Sequence, residues 1–380
     1  MSCTVVQEPD QPRLYDAVCR AMRSGHAFAV LDPTWPQPFL GMANDQIQAA
    51  VTEGTVGRGD LVVFSSGSTG RPRGIVRTLE SWRASVASLS EITRITQEDR
   101  VWLPGPLWSS LFLYGAFHAS AVGAEVIFSD AERDKPAGAT VLHCVPTQLP
   151  GLLQQAQAGG LPLVRAAVVA GDHLATPLRE QCEMAGWRVV EYYGAAELSF
   201  VAWRDSKGPF RAFPGVETEL REGMLWVRSR YLARGYLAGH PKPPTSGPFS
   251  HDPHGWATVG DLAVAVPGGL EVLGRFDGAV TSGGHTIVVE EVERLLRALP
   301  GVDEVAVLGV PHPRLGQVLT AVVVGSAVDA TLRSAVAVMP APSRPRRWLH
   351  ADALPRTSGG KLQRGALPDL VAKLSQARVS

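Results

Sequence analysis

Cysteine is scarce: 380 residues hold four, Cys3, Cys19, Cys144 and Cys182, with no Cys-x-x-Cys and no Cys/His pairing. That excludes a disulfide framework and a zinc site, and leaves free thiols that are expected to be buried. An excess of either charge is missing too, because 36 Lys and Arg balance 36 Asp and Glu. Nothing global then draws the chain to nucleic acid or to an anionic membrane, so any anion site has to be local. Long apolar runs are absent. The most apolar window, Leu111–Phe128, is interrupted by His118, Ser120, Glu125 and two glycines, which suits a helix and a strand of a core better than a membrane span. Met1 to Arg13 carries acids and prolines where a secretory leader has a basic start and an apolar stretch, so a cytoplasmic location is expected. Three short signatures are missing as well. No Gly-Lys-Ser/Thr closes a Walker loop, Val62 follows Gly57-Arg58-Gly59 where a dinucleotide fingerprint has its third glycine, and Ser66 stands where a Gly-x-Ser-x-Gly elbow needs glycine.

What is present is enough apolar side chain for a core: 45% of residues are hydrophobic and 19% charged, a balance that argues against disorder. The length exceeds what one core usually organises, so a large and a small domain are expected. Between about residues 60 and 200, apolar runs at Leu61–Phe64, Glu125–Phe128, Thr140–Val145, Arg165–Ala170 and Arg188–Tyr192 read as strands. Helical patterns separate them, such as the stripe Leu79, Trp82, Val86 and Leu89 and the segment from Leu174 that stops at Gly186. Strand–helix–strand repetition predicts an α/β fold with a mostly parallel sheet. After Gly215, short strands such as Met224–Arg228 and Leu262–Val266, with a Pro-rich loop at 241–244, read as a β-rich annex. From Gly278, a helix at Glu290–Leu299, strands at Glu304–Val310 and Leu319–Val324 and a last helix near Ala366–Leu374 predict a small α+β domain. No internal repeat is visible.

The sharpest local feature is Ser65-Ser66-Gly67-Ser68-Thr69-Gly70-Arg71-Pro72-Arg73-Gly74, which has four hydroxyls, three glycines and two arginines directly after an apolar strand. Glycines let backbone N–H groups turn toward an anion, hydroxyls add donors and the arginines add charge, a combination suited to a polyphosphate. The alternative is an ordinary Gly/Ser turn.

This loop resembles the phosphate-binding signature of the AMP-forming adenylating enzymes, the superfamily of acyl-CoA synthetases, peptide-synthetase adenylation domains and luciferases. The family pattern recurs in order at Tyr193-Gly194-Ala195-Ala196-Glu197, Val259-Gly260-Asp261, Gly274-Arg275-Phe276-Asp277 and Pro355-Arg356-Thr357-Ser358-Gly359-Gly360-Lys361. The resemblance implies a large N-terminal domain over residues 1–276, with layered, mostly parallel sheets and the β-rich annex, joined by a hinge to a small mobile domain over 277–380. It further implies an ATP-dependent ligase that forms acyl-AMP and pyrophosphate from a small carboxylic acid, then passes the acyl group to the thiol of coenzyme A.

The resemblance also assigns residues. Ser65, Ser66, Gly67, Ser68, Thr69, Gly70 and Arg73 would hold the phosphates. Glu197 would ligate Mg2+, and Tyr193, with Gly194 and Ala195, would face adenine, as would Gly171-Asp172 after the strand Arg165–Ala170. Asp261 and Arg275 would hold the ribose. Lys361 would bridge the substrate carboxylate and the α-phosphate, Asp277 would be the hinge, Trp108 would border the acyl pocket, and Gly283 and Gly284 would admit a pantetheine arm.

Departures from the family pattern are local, except one. Ala196 replaces a hydroxyl residue, which removes one hydrogen bond to the nucleotide, roughly 0.5–1.5 kcal/mol. Arg73 replaces lysine, and Val259 replaces threonine. Only 64 residues precede the phosphate loop, so much of the usual first subdomain is expected to be missing, as in compact o-succinylbenzoyl-CoA synthetases, whose layout is similar. Two other readings stay open: a stand-alone adenylation enzyme loading the phosphopantetheine of an acyl carrier protein, and a nucleotide- or acyl-binding protein that has lost catalysis. Neither a nucleic acid nor a membrane is an expected partner; a homodimer is compatible with the sequence.

Overall fold

The computed structural model describes residues 2–65, 73–128, 136–237, 249–275, 280–282, 285–312 and 316–377. Four sheets organise them. In the first, Cys3–Val6, Ala27–Val30 and Asp60–Ser65 run parallel, while Arg73–Thr78 and Gly235–Tyr236 complete it antiparallel. Helices Gln11–Ser24 and Gln37–Thr52 make the crossovers. Asp10 caps the first of them by accepting the Arg13 N–H, and Gly25 ends it at a φ of 66°, as the capping rules require. The 64 residues ahead of the Gly/Ser-rich motif therefore supply two helices, two four-residue strands and most of a third strand, Asp60–Ser65.

The second sheet has seven strands. Glu125–Phe128, Arg100–Leu103, Val141–Cys144, Ala166–Val169 and Arg188–Ala195 are parallel neighbours, and Ser199–Arg204 and Arg211–Ala212 extend the sheet antiparallel. Both faces are covered, and alternation along each strand sorts the side chains between them. Val141, Ala166 and Val168 join one apolar cluster with Trp82 and Phe112, whereas Leu142, Ala167 and Val169 join another with Leu153 and Cys182. Burial on both faces explains why these strands read as continuous apolar runs.

The annex is an antiparallel sheet built on Met224–Arg228, Asp261–Val266 and Gly269–Arg275. In the carboxy-terminal region, Val280–Ser282, His285–Ile287, Gly316–Val324, Glu304–His312 and Arg347–His350 form the fourth sheet. Helices Val289–Arg297, Asp329–Ala335 and Leu367–Ala377 accompany it. Two apolar clusters belong wholly to this region. Helix Val289–Arg297 docks on the annex, with the Arg294 guanidinium donating to the carbonyls of Val272 and Leu273 at 3.1 and 3.2 Å.

The α/β class, the annex and the small α+β region are as the sequence predicts. The strands on either side of the Gly/Ser-rich motif, Asp60–Ser65 and Arg73–Thr78, pair antiparallel. All four cysteines are free; Cys144 and Cys182 are buried, but Cys3 and Cys19 are only half-buried. Among the described residues, no helix is long and apolar enough to cross a membrane.

Candidate active site

Glu197 sits in the turn between Arg188–Ala195 and Ser199–Arg204, the two strands that end the parallel run. The turn is tight. A β-carbon on Gly194 would lie 1.9 Å from the carbonyl oxygen of Ser199, so only glycine fits there. Ser199 takes a φ of 59°. Beneath the turn lies Arg77, 1% exposed, which donates to the Ala196 and Tyr231 carbonyls and to the hydroxyls of Ser199 and Ser81. Burial lowers the Arg77 pKa to about 10, opposed by Tyr114 and Glu197. The Glu197 carboxylate is 8% exposed and accepts the Tyr236 hydroxyl at 2.8 Å. Burial first, and then the neighbouring carboxylate, raises the Tyr236 pKa, while Arg73 lowers it. Arg73 and Glu197 thus flank one phenol.

Lys361 reaches the middle of the chain. Its Cε lies 2.9 Å from where a β-carbon on Gly171 would stand, and Leu111 and Val145 line the same spot at 3.3 and 3.4 Å. Gly171 has a φ of 94°, so glycine is required there both for its backbone and for the lysine. Lys361 is exposed as a residue, yet its side chain packs against Gly171. Desolvation lowers its pKa, and the charges of Asp172 and Glu197 act in the opposite direction. The turn carrying Lys361 is closed by Thr357 N–H to the Lys361 carbonyl at 2.8 Å. It is tied to the large region by the Thr147 hydroxyl, which donates to the Gly360 carbonyl at 3.1 Å. Trp108 also meets this turn, its indole N–H donating to Ser358 Oγ at 3.4 Å.

Tyr193 donates its hydroxyl to Asp261 Oδ2, which joins the residue expected at adenine to the one expected at ribose. Asp261 pairs in register with Arg275 across two annex strands. Ser66, Gly67, Ser68, Thr69, Gly70, Asp277, Gly283 and Gly284 lie outside the described residues, as do the side chains of Ser65 and Arg275.

A third group lies where the two regions meet. Arg364, three residues after Lys361, pairs with Glu293 at 2.8 Å and Glu290 at 3.2 Å, and the charge of Asp172 adds to the rise in its pKa, after Glu293 and Glu290. Nearby His173 is held neutral: burial pushes its pKa down to about 4, with Arg294, Arg297 and Arg204 adding to the fall and Glu191 opposing it.

The residues present suit a hard divalent cation held mainly by substrate. Among the described residues no three acidic, histidine or cysteine side chains converge as a cage. Glu197 presents one nearly buried carboxylate, and Mg2+ usually takes one or two carboxylates plus phosphate oxygens and water.

Arg77, Tyr236 and Arg364 were not readable as site residues. Arg77 and Tyr236 reach their partners across 119 and 39 positions of chain, and neither lies in a recognisable motif.

A parallel sheet with an antiparallel hairpin at its end, a carboxylate in that hairpin and a lysine brought over from a separate small region is the arrangement that the motif pattern implies. The comparisons agree: residues 43–237 match the AMP-binding enzyme family and residues 291–361 match the AMP-binding enzyme C-terminal domain. The chain belongs to the AMP-binding enzyme family. It is 32% identical over 331 residues to the uncharacterized acyl–CoA ligase YhfT of Bacillus subtilis, covering 79% of this chain and 66% of that one. It is 31% identical over 349 residues to the phenyloxazoline synthase MbtB of a Mycobacterium species, covering 80% of this chain and 29% of that one. A probable 2-succinylbenzoate–CoA ligase of Mycobacterium tuberculosis is 29% identical over 388 residues, with 93% and 94% covered. The chain thus spans just under two thirds of the first relative and less than a third of the second. In fold it is similar to ATP-bound MatB from Rhodopseudomonas palustris, with a TM-score of 0.81, 21% identity, and 97% of this chain and 88% of that one covered.

Proposed function

We propose that the chain is an AMP-forming acid–thiol ligase. A carboxylate oxygen of a small acid attacks the α-phosphorus of ATP, the bond from that phosphorus to the bridging oxygen breaks, and pyrophosphate leaves. The sulfur of coenzyme A then attacks the acyl carbonyl, its proton goes to solvent, and the carbon–oxygen bond to AMP breaks. The observation that carries this reading is the seat of Lys361 beside Gly171, within the field of Asp172 and Glu197.

In this reading the loop 65–74, with Arg73, holds the leaving phosphates, and Tyr193, Asp261 and Arg275 hold the nucleoside. Glu197 would hold a magnesium ion, which would supply neutralising charge to the triphosphate. Lys361 faces the charge that develops between carboxylate and phosphate, where a preorganised ammonium acts most strongly. Residues 1–276 and 277–380 act as separate domains hinged at Asp277, with Trp108 beside the acyl group and Gly283 and Gly284 on the thiol path.

A panel of carboxylic acids read by pyrophosphate release tests this. Acid-dependent release that falls 100-fold or more in Lys361→Ala supports it; no release with any acid while ATP still binds overturns it in favour of a lapsed binding protein. The similarity to MbtB favours a second acceptor, the phosphopantetheine of a carrier protein, in place of coenzyme A. Loading trials with each thiol separate the two.

A further inference from the structure

Asp32, on the loop after the strand Ala27–Val30, is 5% exposed. Its Oδ1 accepts the Thr34 N–H at 2.9 Å and the Thr34 hydroxyl at 2.6 Å, and its Oδ2 accepts the hydroxyl of Ser358 at 2.6 Å. Among the described residues no ion pair involves Asp32, so neutral O–H and N–H groups satisfy its charge. A buried carboxylate without a cation depends on such donors, and hydrogen bonds to it are the strong, charge-assisted kind. One of the three donors comes from 326 positions away in the chain.

That donor belongs to the turn that carries Lys361. Ser358 precedes the lysine by three residues, and the turn is internally stiff: Gly360 N–H donates to the Thr357 carbonyl at 2.9 Å, and Lys361 N–H to Thr357 Oγ1 at 3.2 Å. Arg356 also donates to the Gly360 carbonyl at 2.7 Å. A stiff turn transmits the position of Ser358 to Lys361. Ser358 is gripped from two sides, since it accepts the Trp108 indole N–H while donating to Asp32. Thr147 holds the other end of the turn.

We propose that Asp32 and Ser358 form a latch that positions Lys361 for adenylate formation and is not used in the thiol step. Asp32 is a positioning residue, because it acts on the reacting atoms only through Ser358 and the turn. The proposal rests on the ligase reading given above.

The test measures the two half-reactions separately in the full-length protein: acid- and ATP-dependent pyrophosphate release, then thioester formation from supplied acyl-adenylate and coenzyme A. Ser358→Ala removes only a hydroxyl from an exposed residue. It is expected to lower kcat for pyrophosphate release at least fivefold with KM for ATP within twofold, to leave thioester formation within twofold, and to be rescued by Ser358→Thr. Asp32→Asn keeps the shape of the side chain but can replace the acceptor facing Ser358 with a donor, and should give the same pattern. The double variant should be no worse than the worse single one, as expected for residues acting as a unit. Equal losses in both steps, or additive losses, overturn the latch. A second readout does not need activity: limited trypsin cleavage after Lys361, read by mass spectrometry, should rise at least fivefold in Ser358→Ala and not in Ser358→Thr. If no acid supports pyrophosphate release, the ligase reading has failed, and cleavage unchanged in Ser358→Ala is then what overturns the latch.

Discussion

The ε-carbon of Lys361 occupies the space that any side chain on Gly171 would need, 2.9 Å from the position of an ideal β-carbon. Residue 171 is on the loop after the strand Ala166–Val169, at a φ of 94° that disfavours every other residue type. Gly171→Ala is therefore expected to act twice. It strains the loop, and it pushes the lysine out of its seat, so pyrophosphate release should fall about 10- to 100-fold, the scale of a misplacement of about 1 Å. Steady-state kinetics check this, with ATP-binding calorimetry to establish that the fold and nucleotide site persist.

Arg77 supports the turn that carries Glu197 without belonging to any motif. Its guanidinium, 1% exposed, serves two carbonyls and two hydroxyls. Replacing it by methionine leaves those acceptors buried and unpaired, a penalty of roughly 3 kcal/mol. Arg77→Met should lower the midpoint of urea unfolding accordingly, with Arg77→Lys falling between it and the wild type. Because Ala196 and Ser199 border Glu197, the same variant should also weaken magnesium-dependent activity.

Tyr236 touches Glu197 directly at 2.8 Å. A hydroxyl that orients a metal-binding carboxylate typically matters 10- to 100-fold to affinity or activity. Tyr236→Phe is expected to raise the magnesium concentration needed for half-maximal pyrophosphate release about tenfold, with little change in the midpoint of thermal unfolding. A magnesium titration of both proteins at saturating ATP reads this out. An unchanged titration would mean that Glu197 is not the ligand.

These residues also mark the limit of what could be read from sequence. Strands buried on both faces, such as Val141–Cys144 and Ala166–Val169, announce themselves as apolar runs, and motif residues such as Glu197 and Lys361 are recognisable by their neighbours. Arg77 lies in the strand Arg73–Thr78, where glycine and two arginines hide a buried segment. Its inward charge is explained only by partners far along the chain. Asp32 fails for the same reason, since its donor is Ser358. The short strands Cys3–Val6 and Ala27–Val30 are too brief to show periodicity, which is why the front of the chain gives no strand pattern. The antiparallel pairing of Asp60–Ser65 with Arg73–Thr78 was not legible either, because strand pairing is a tertiary fact.

Stability should depend on pH through histidines that burial holds neutral: His118 and His143 in the core, with His173 acting in the same direction. His118 is 1% and His143 2% exposed; His118 Nε2 meets Ser90 Oγ at 2.9 Å and His143 Nε2 meets the Tyr192 hydroxyl at 3.1 Å. Burial pushes their pKa values down to about 4 and about 3, with His118 adding to the fall at His143. Both rings therefore stay neutral in the folded protein under conditions where an unfolded chain, with histidines near 6.5, takes up protons. As pH falls below about 6.5, the unfolded state binds protons first, so stability is lost progressively down to about pH 3 to 4, and below that these groups add no further slope. Keeping one such ring neutral corresponds to about 3 to 5 kcal/mol. Urea unfolding at pH 7.5, 6, 5 and 4.5 should show the midpoint falling, and His143→Gln should flatten that fall. A midpoint that is level from pH 7.5 to 4.5 in the wild type would mean that neither ring is held neutral by the fold.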